Sequence, residues 1–268
     1  MCVYIHVYRG KLLMEIIAVI NQKGGVGKST TALALGAGLS LKGFKVLFVD
    51  IDAQGNLTYT LKIDEISPIS ENSYDIFTKD KITLKNAIQS AKQGDVITSS
   101  PYLAGIDATL SSASRKEYRL KTALETLKTD YDYIIIDTPP SLGILTINAL
   151  IACTGVIIPA QADIYSLQGI SQLYKTIEAV KTHRNPSLKV LGILLTRYSN
   201  RSIISRDMAE MMQETATQLG TKLYSTKIRE ATAIKEAQVR RKSIFEHAPK
   251  SKVAKDYADF INEVVGKE

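Results

Sequence analysis

The sequence has few of the features that mark unusual protein classes. Two cysteines in 268 residues, Cys2 and Cys153, form no CxxC pair and stand beside no histidine cluster. That excludes a disulfide scaffold and leads us to expect a reduced, cytosolic protein. No apolar run approaches the roughly 18 residues of a membrane span. Residues 12–20 are apolar but are broken by Glu15 and succeeded by no cleavage site or stop-transfer pattern, so no signal peptide is expected. Internal repeats, low-complexity tracts and Gly/Pro-rich linkers are also missing, which leaves no seam for a domain boundary. Composition is ordinary, with 45% hydrophobic and 23% charged residues, and that excludes a disordered or collagen-like chain. A chain this long buries roughly 70–75% of its unfolded surface and needs no metal staple.

Charge is present in a lopsided distribution. The net charge is +7, yet residues 1–150 hold 16 basic and 15 acidic side chains, whereas residues 151–268 hold 18 and 12. The excess on the C-terminal half points to a polyanionic partner, nucleic acid or a membrane surface.

From residue 15 the chain alternates short β-rich runs with helical runs. Residues 15–21, 45–50, 95–98, 133–137, 155–160 and 190–196 read as strands. Residues 29–42, 74–77, 84–91, 115–128, 167–182, 203–219 and 251–265 read as helices, with another from residue 142. Near-continuous apolar strands separated by helices predict one doubly wound α/β domain over 14–268, its mostly parallel sheet covered on both faces. Residues 1–13 do not fit this alternation. They are expected to be an N-terminal extension, with Met14 as an alternative start, or else to add an edge strand over 3–8.

The first strand ends at Lys23-Gly24-Gly25-Val26-Gly27-Lys28-Ser29-Thr30, which opens a helix. Glycines there let successive backbone N–H groups turn inward around phosphate oxygens, and the helix aims its positive end at them. Lys28 supplies a cation for the β- and γ-phosphates, and the Ser29 hydroxyl can ligate Mg²⁺. A standard phosphate loop has glycine five residues before Gly27, where this chain has Gln22; an extra lysine, Lys23, stands one residue later.

This KGGxGK pattern resembles the deviant Walker A loop of the ParA/MinD family of P-loop ATPases. The resemblance implies ATP and ADP as ligands, Mg²⁺ as cofactor and a homodimer formed on ATP. It also implies that Lys23 crosses the dimer interface to the partner's phosphates, a cation delivered in trans as an arginine finger is. The segment DIDAQGNLT is similar to the family's DxDxQGN. By that likeness Asp52 orients the attacking water, and Asp50 supports the loop or reaches the metal through water. Asp137, closing YIIIDTPPS, looks like the Walker B acid that holds Mg²⁺ through water. Asp163 matches a family segment near the dimer interface.

Residues 228–249 are similar to the family stretch that lines the adenine pocket and carries a DNA-facing surface. The match implies nucleotide contacts at Ile228 and Arg229, although IPRN in the family reads Ile228-Arg229-Glu230-Ala231 here. Among branches of the family, paired cysteines for a cluster, a tail of tyrosines and room for an N-terminal helix-turn-helix are all missing. The last thirteen residues carry Asp256, Asp259, Glu263 and Glu268 against Lys267, a poor match to the basic amphipathic tail of a MinD-type membrane regulator.

The short ParA/Soj type remains. It implies an ATPase of slow turnover that binds DNA without sequence preference, partitions a plasmid or chromosome, and answers to a ParB-like partner. The basic residues expected to face DNA are Arg197, Arg201, Arg206, Arg229, Arg240, Arg241, Lys242, Lys250 and Lys252. The rival readings are a MinD-like regulator at the membrane and a metabolic enzyme of the same fold, such as a dethiobiotin synthetase relative.

Overall fold

The computed structural model describes residues 7–8, 11–12, 14–61, 71–79, 84–127, 129–199 and 203–266. Strands β1 (Val7–Tyr8) and β2 (Lys11–Leu12) pair antiparallel with each other and not with the main sheet. The edge strand expected over 3–8 therefore does not join the main sheet at Val7–Tyr8, and its remainder lies outside the described residues.

The main sheet contains β3 (Glu15–Val19), β4 (Val46–Asp50), β5 (Ile88–Gln89), β6 (Asp95–Ile97), β7 (Tyr133–Asp137), β8 (Gly155–Ala160) and β9 (Lys189–Leu195). Their order is β5-β6-β4-β7-β3-β8-β9, parallel throughout except for the antiparallel pairing of β5 with β6. Eleven helices are described: α1 (Lys28–Leu41), α2 (Asn56–Leu61), α3 (Ser73–Thr78), α4 (Ile106–Thr109), α5 (Arg119–Leu124), α6 (Ile144–Ala152), α7 (Ile164–His183), α8 (Ile203–Gln218), α9 (Thr232–Val239), α10 (Ile244–His247) and α11 (Lys252–Val265).

Both faces of the sheet are dry. On β7, Ile134 and Ile136 join one core, while Tyr133 and Ile135 join the other. A strand with period-two side chains and two buried faces reads as a continuous apolar run, and YIII is such a run. Chain order reverses around the central strand β3, and ligands in such sheets sit at the carboxyl ends of strands near that reversal.

Helix α1 is built from small residues for a steric reason. A Cβ on Gly36 would lie 2.2 Å from the Phe48 ring, and one on Gly38 would lie 2.2 Å from Ile261. The helix thus fits between β4 and α11, which compensates for glycine's roughly 1 kcal/mol helix penalty at each position.

Two expected helices take other forms. Within 84–91 the chain makes one 3₁₀ turn, Leu84–Asn86, and then β5, where Ile88 and Gln89 pair with Ile97 and Val96 to complete the sheet edge. The helix expected over 115–128 is cut to α5 with 3₁₀ turns at both ends, Lys116–Tyr118 and Glu125–Leu127. Asn148 of α6 explains the first interruption, because its amide accepts from the Leu120 N–H and donates to the Lys116 carbonyl.

Helix α11 is part of the core. Val253, Tyr257, Phe260, Ile261, Val264 and Val265 are all buried, and Phe260 meets Tyr224 edge to face at 4.9 Å. Phe260→Ala is expected to lower stability by about 3–5 kcal/mol, the cost of emptying a large aromatic site. Urea unfolding checks this. An unchanged midpoint would mean that α11 is a peripheral tail.

Candidate functional site

The glycine-rich loop joins β3 to α1 at the carboxyl edge of the sheet. Gly25 and Gly27 have φ of 74° and 86°, a left-handed backbone that favours glycine and turns consecutive amides to one side. Val26 is fully buried and its carbonyl accepts from the Thr196 hydroxyl at 2.8 Å, which fixes the loop to the end of β9. Lys28 starts α1, is 6% exposed, and donates to the Lys23 carbonyl at 3.3 Å. Burial pulls its pKa down, opposed by the nearby charges of Asp137 and Asp52.

A cleft of about 580 Å³ opens over this loop. Gly24, Gly25, Gly27, Lys28, Ser29 and Thr30 form one wall, and Asp52, Pro140, Arg197, Ile228, Arg229, Ile234, Gln238 and Tyr257 stand among the residues of the others. This is the volume and mixed character of a nucleotide-sized pocket, apolar over much of its lining with a few convergent polar groups. Gln238 of α9 reaches across it to the Thr30 hydroxyl at 3.1 Å.

Three carboxyls gather at the sheet edge, and the chain treats each differently. Asp50 and Asp137 are paired in register on β4 and β7, and both are fully buried. Asp50 accepts from the Thr58 amide at 2.8 Å, the Thr58 hydroxyl at 2.7 Å and the Asp52 amide at 3.1 Å. Burial still raises its pKa to about 6. Loop donors thus take both positions on Oδ2 and one on Oδ1. Asp52 is 6% exposed and accepts from the Gln54 amide.

Asp137 differs: neither oxygen has a well-formed hydrogen bond. Burial and then the neighbouring Asp50 push its pKa well up, while the Ser29 hydroxyl and Lys28 act the other way. A buried carboxyl without partners, beside a serine hydroxyl, is a hard-oxygen donor set that fits Mg²⁺. Among the described residues no cluster of three or more His, Cys, Asp or Glu forms a cage.

Lys23 lies at the rim. Its ammonium sits 2.7 Å from Asp163 and 3.4 Å from the Ser166 hydroxyl, with both charged side chains about one-third exposed (32% and 31%). Asp163 caps α7 through the Ser166 amide. Burial raises the Asp163 pKa, but the bonds from Lys23 and Ser166 outweigh it and hold the carboxyl below its ordinary value.

The structure separates the basic candidates. Arg206, Arg240, Lys250 and Lys252 are exposed and make no ion pair among the described residues. Arg197 pairs with Glu230 at 2.6 Å, and Lys242 with Glu246 at 3.3 Å. Arg241 donates to the Tyr59 carbonyl and lies over the Tyr59 ring. Arg229 forms a two-pronged pair with Asp256, at 2.6 and 2.7 Å, which ties it to α11 while its side chain stays 46% exposed. Arg201 lies outside the described residues.

Several residues of the site escape sequence reasoning, namely Thr58, Ser99, Thr196 and Gln238. Thr58 closes the DIDAQGNLT segment and Gln238 lies within 228–249, yet nothing singles either out there, and Ser99 and Thr196 stand outside both segments.

The family model of the AAA domain matches residues 14–190. The chain is 41% identical over 251 residues to the sporulation initiation inhibitor protein Soj of Bacillus subtilis, covering 93% of this chain and 98% of Soj. It is 34% identical over 258 residues to the chromosome partitioning protein ParA of Caulobacter vibrioides, covering 95% of each. Among solved structures, the cobyrinic acid a,c-diamide synthase of Mycobacterium smegmatis with bound ADP and magnesium matches with a TM-score of 0.78 at 35% identity, over 93% of both chains.

The raised carboxyls make a signed pH prediction. Between the ordinary carboxylate pKa and about 6, the folded chain binds more protons at Asp50 and Asp137 than the unfolded chain does. Their contribution to stability therefore falls as pH rises through that window. Asp137→Asn lacks one of these groups, so its stability relative to the wild type should rise between about pH 4.5 and 7.5 in metal- and nucleotide-free buffer. Urea unfolding at the two pH values measures it, and a constant difference would contradict the assignment.

Proposed function

The chain belongs to the Soj/ParA family of AAA-domain proteins, and from that premise we propose that it is an ATPase that dimerises on ATP and Mg²⁺. The dimer holds DNA without sequence preference and releases it after hydrolysis to ADP and phosphate. Its task is partition of a plasmid or chromosome at the nucleoid, with a ParB-like DNA-bound protein stimulating turnover.

Mg²⁺, when bound, would neutralise charge on the phosphates. The chain's own residues divide the remaining work. Loop amides from Gly24 to Thr30 and the Lys28 ammonium bind the phosphates, Ser29 and Asp137 hold the ion, and Asp52 orients water. Ile228, Ile234 and Tyr257 offer the apolar part of the cleft to the base. Such catalysis is positioning and charge stabilisation, with little covalent work for the protein.

The observation that carries the reading is the placement of Lys23. Its ammonium rests on Asp163, about one-third exposed, and Lys23 is not among the residues that line the cleft. A lone protomer therefore lacks one cation over its cleft, which supports slow turnover until a second copy brings its own lysine. Arg206, Arg240, Lys250 and Lys252, exposed and without an ion pair among the described residues, support binding to a polyanion, which would weaken steeply with salt. The buried apolar face of α11 favours this reading over attachment to lipid through the C-terminus.

Lys28→Ala should weaken ATP binding at least ~10- to 100-fold, as loss of a charge-assisted contact does; unchanged affinity by calorimetry would refute the loop assignment. Lys23→Ala should bind ATP yet elute as a monomer where the wild type with ATP elutes as a dimer. A persistent ATP dimer of Lys23→Ala would overturn the trans role. Co-sedimentation separates the rivals. DNA retention only with ATP supports the proposal, ATP-dependent retention on anionic liposomes supports the membrane reading, and turnover stimulated by a small substrate supports a metabolic enzyme.

A further inference from the structure

Asp52 can act only if the loop that carries it is held still, and its contacts show what holds it. The segment from Asp50 to Thr58 leaves β4 and turns back into α2. On its inner side Asp50 binds the Asp52 amide and both donors of Thr58. On its outer side stands Ser99, two residues past the end of β6 and 41 residues away from Thr58 along the chain.

Ser99 makes two bonds to the loop. Its amide donates to the Thr58 hydroxyl at 2.9 Å. Thr58 has one hydroxyl proton, which goes to Asp50, so its oxygen serves as a relay between Ser99 and the buried carboxyl. The Ser99 hydroxyl donates to the main-chain carbonyl of Asp52 itself. That carbonyl also accepts from the Gly55 amide at 2.8 Å, closing the turn. Gly55 has φ of 61°, and a Cβ built there would lie 3.6 Å from Ser99 Cβ, so the two segments are in direct contact. Ser99 stands on a firm base, since the Thr98 carbonyl accepts from the Ser73 amide and Leu103 beyond it is buried.

From this geometry we propose that Ser99 is a positioning residue for hydrolysis, setting the backbone of Asp52 so that its carboxyl faces the cleft at a fixed place. The inference rests on the reading of Asp52 as the residue that orients water, and it adds a component outside every nucleotide motif. Asp52 lines the cleft and Ser99 does not, so Ser99 acts through Asp52. A side chain locked by surrounding bonds holds a reacting group within the few tenths of an ångström that positioning catalysis requires.

The test uses the full chain, with ATP affinity, steady-state hydrolysis and melting temperature measured for each variant. Ser99→Ala removes the bond to the Asp52 carbonyl and keeps the amide bond to Thr58. Its kcat should fall about 3- to 10-fold, as for one neutral hydrogen bond, with ATP affinity and KM within about twofold of wild type. Ser99→Thr keeps the hydroxyl and should restore kcat. In an Asp52→Ala background, Ser99→Ala should lower the residual rate no further, because the group it positions is gone.

Unchanged kcat in Ser99→Ala, beside an inactive Asp52→Ala, would overturn the Ser99 role alone. Wild-type hydrolysis by Asp52→Ala would overturn the reading of Asp52 beneath it. A parallel loss of ATP affinity and melting temperature in Ser99→Ala, with no rescue by threonine, would show a merely structural residue and also overturn the proposal.

Discussion

Two aspartates buried side by side at the ends of adjacent strands set the terms for the rest of the site. Asp50 and Asp137 are in register across β4 and β7 and have no solvent. Two carboxyls so placed disfavour each other's ionisation, on top of the cost of burial. The residues immediately downstream of each aspartate decide its fate. After Asp50 come the Asp52 and Thr58 amides and the Thr58 hydroxyl, and the loop curls back so that all three reach it. After Asp137 come Pro139 and Pro140, which have no N–H to offer. The hydroxyl of Thr138 is directed to the Val19 carbonyl instead. One acid thus becomes an anchor for a loop, and the other keeps its lone pairs for Ser29, Lys28 and whatever cation the cleft admits.

The phosphate loop shows the same division of partners. Its carbonyls are tied down by side chains from the far half of the chain, Thr196 to Val26 and Gln161 to Gly25. Upstream, the Asn21 amide donates to the Pro159 carbonyl at 2.7 Å. With carbonyls engaged from behind, the amides are left to face the cleft. This is preorganisation of the kind that makes backbone dipoles effective on phosphate, since no reorientation is needed when charge arrives. The strands β8 and β9 therefore act as the rear support of a loop that belongs to β3 and α1.

Much of this architecture is legible in the amino-acid order. The strands 15–21, 133–137 and 155–160 are apolar runs that only a two-faced parallel sheet can bury, and the glycine-rich loop after the first of them is specific in composition and place. The acids Asp50, Asp52 and Asp137 are legible because they sit where such runs stop. The hidden parts depend on contacts distant in sequence. A sheet edge turns residues 88–89 into a strand, because pairing with β6 outweighs their local helical pattern. Asn148 breaks the helix expected over 115–128 from a different element. Ser99 and Gln238 gain their places in the site only through folding. The pairing of Arg229 with Asp256, 27 residues later, is likewise not announced by the sequence around Arg229.

Under the proposed trans role Lys23 has to leave Asp163, and the pairing of the two is well matched to that. Both side chains are about one-third exposed, and partly solvated pairs of this kind contribute only ~0.2–1 kcal/mol. A buried pair would have been a trap, because separating it strands charges out of water at a cost of several kcal/mol. A lysine left entirely free would lose the rotamer entropy of a long side chain on every engagement. A half-buried carboxyl at the N-cap of α7 avoids both extremes. It holds the ammonium near the rim, and the Ser166 amide and hydroxyl remain to satisfy the carboxyl when the lysine leaves. The helix N-terminus favours that negative charge as well. The strength of the contact is thus limited by exposure, and its release is cushioned by a cap that is already in place.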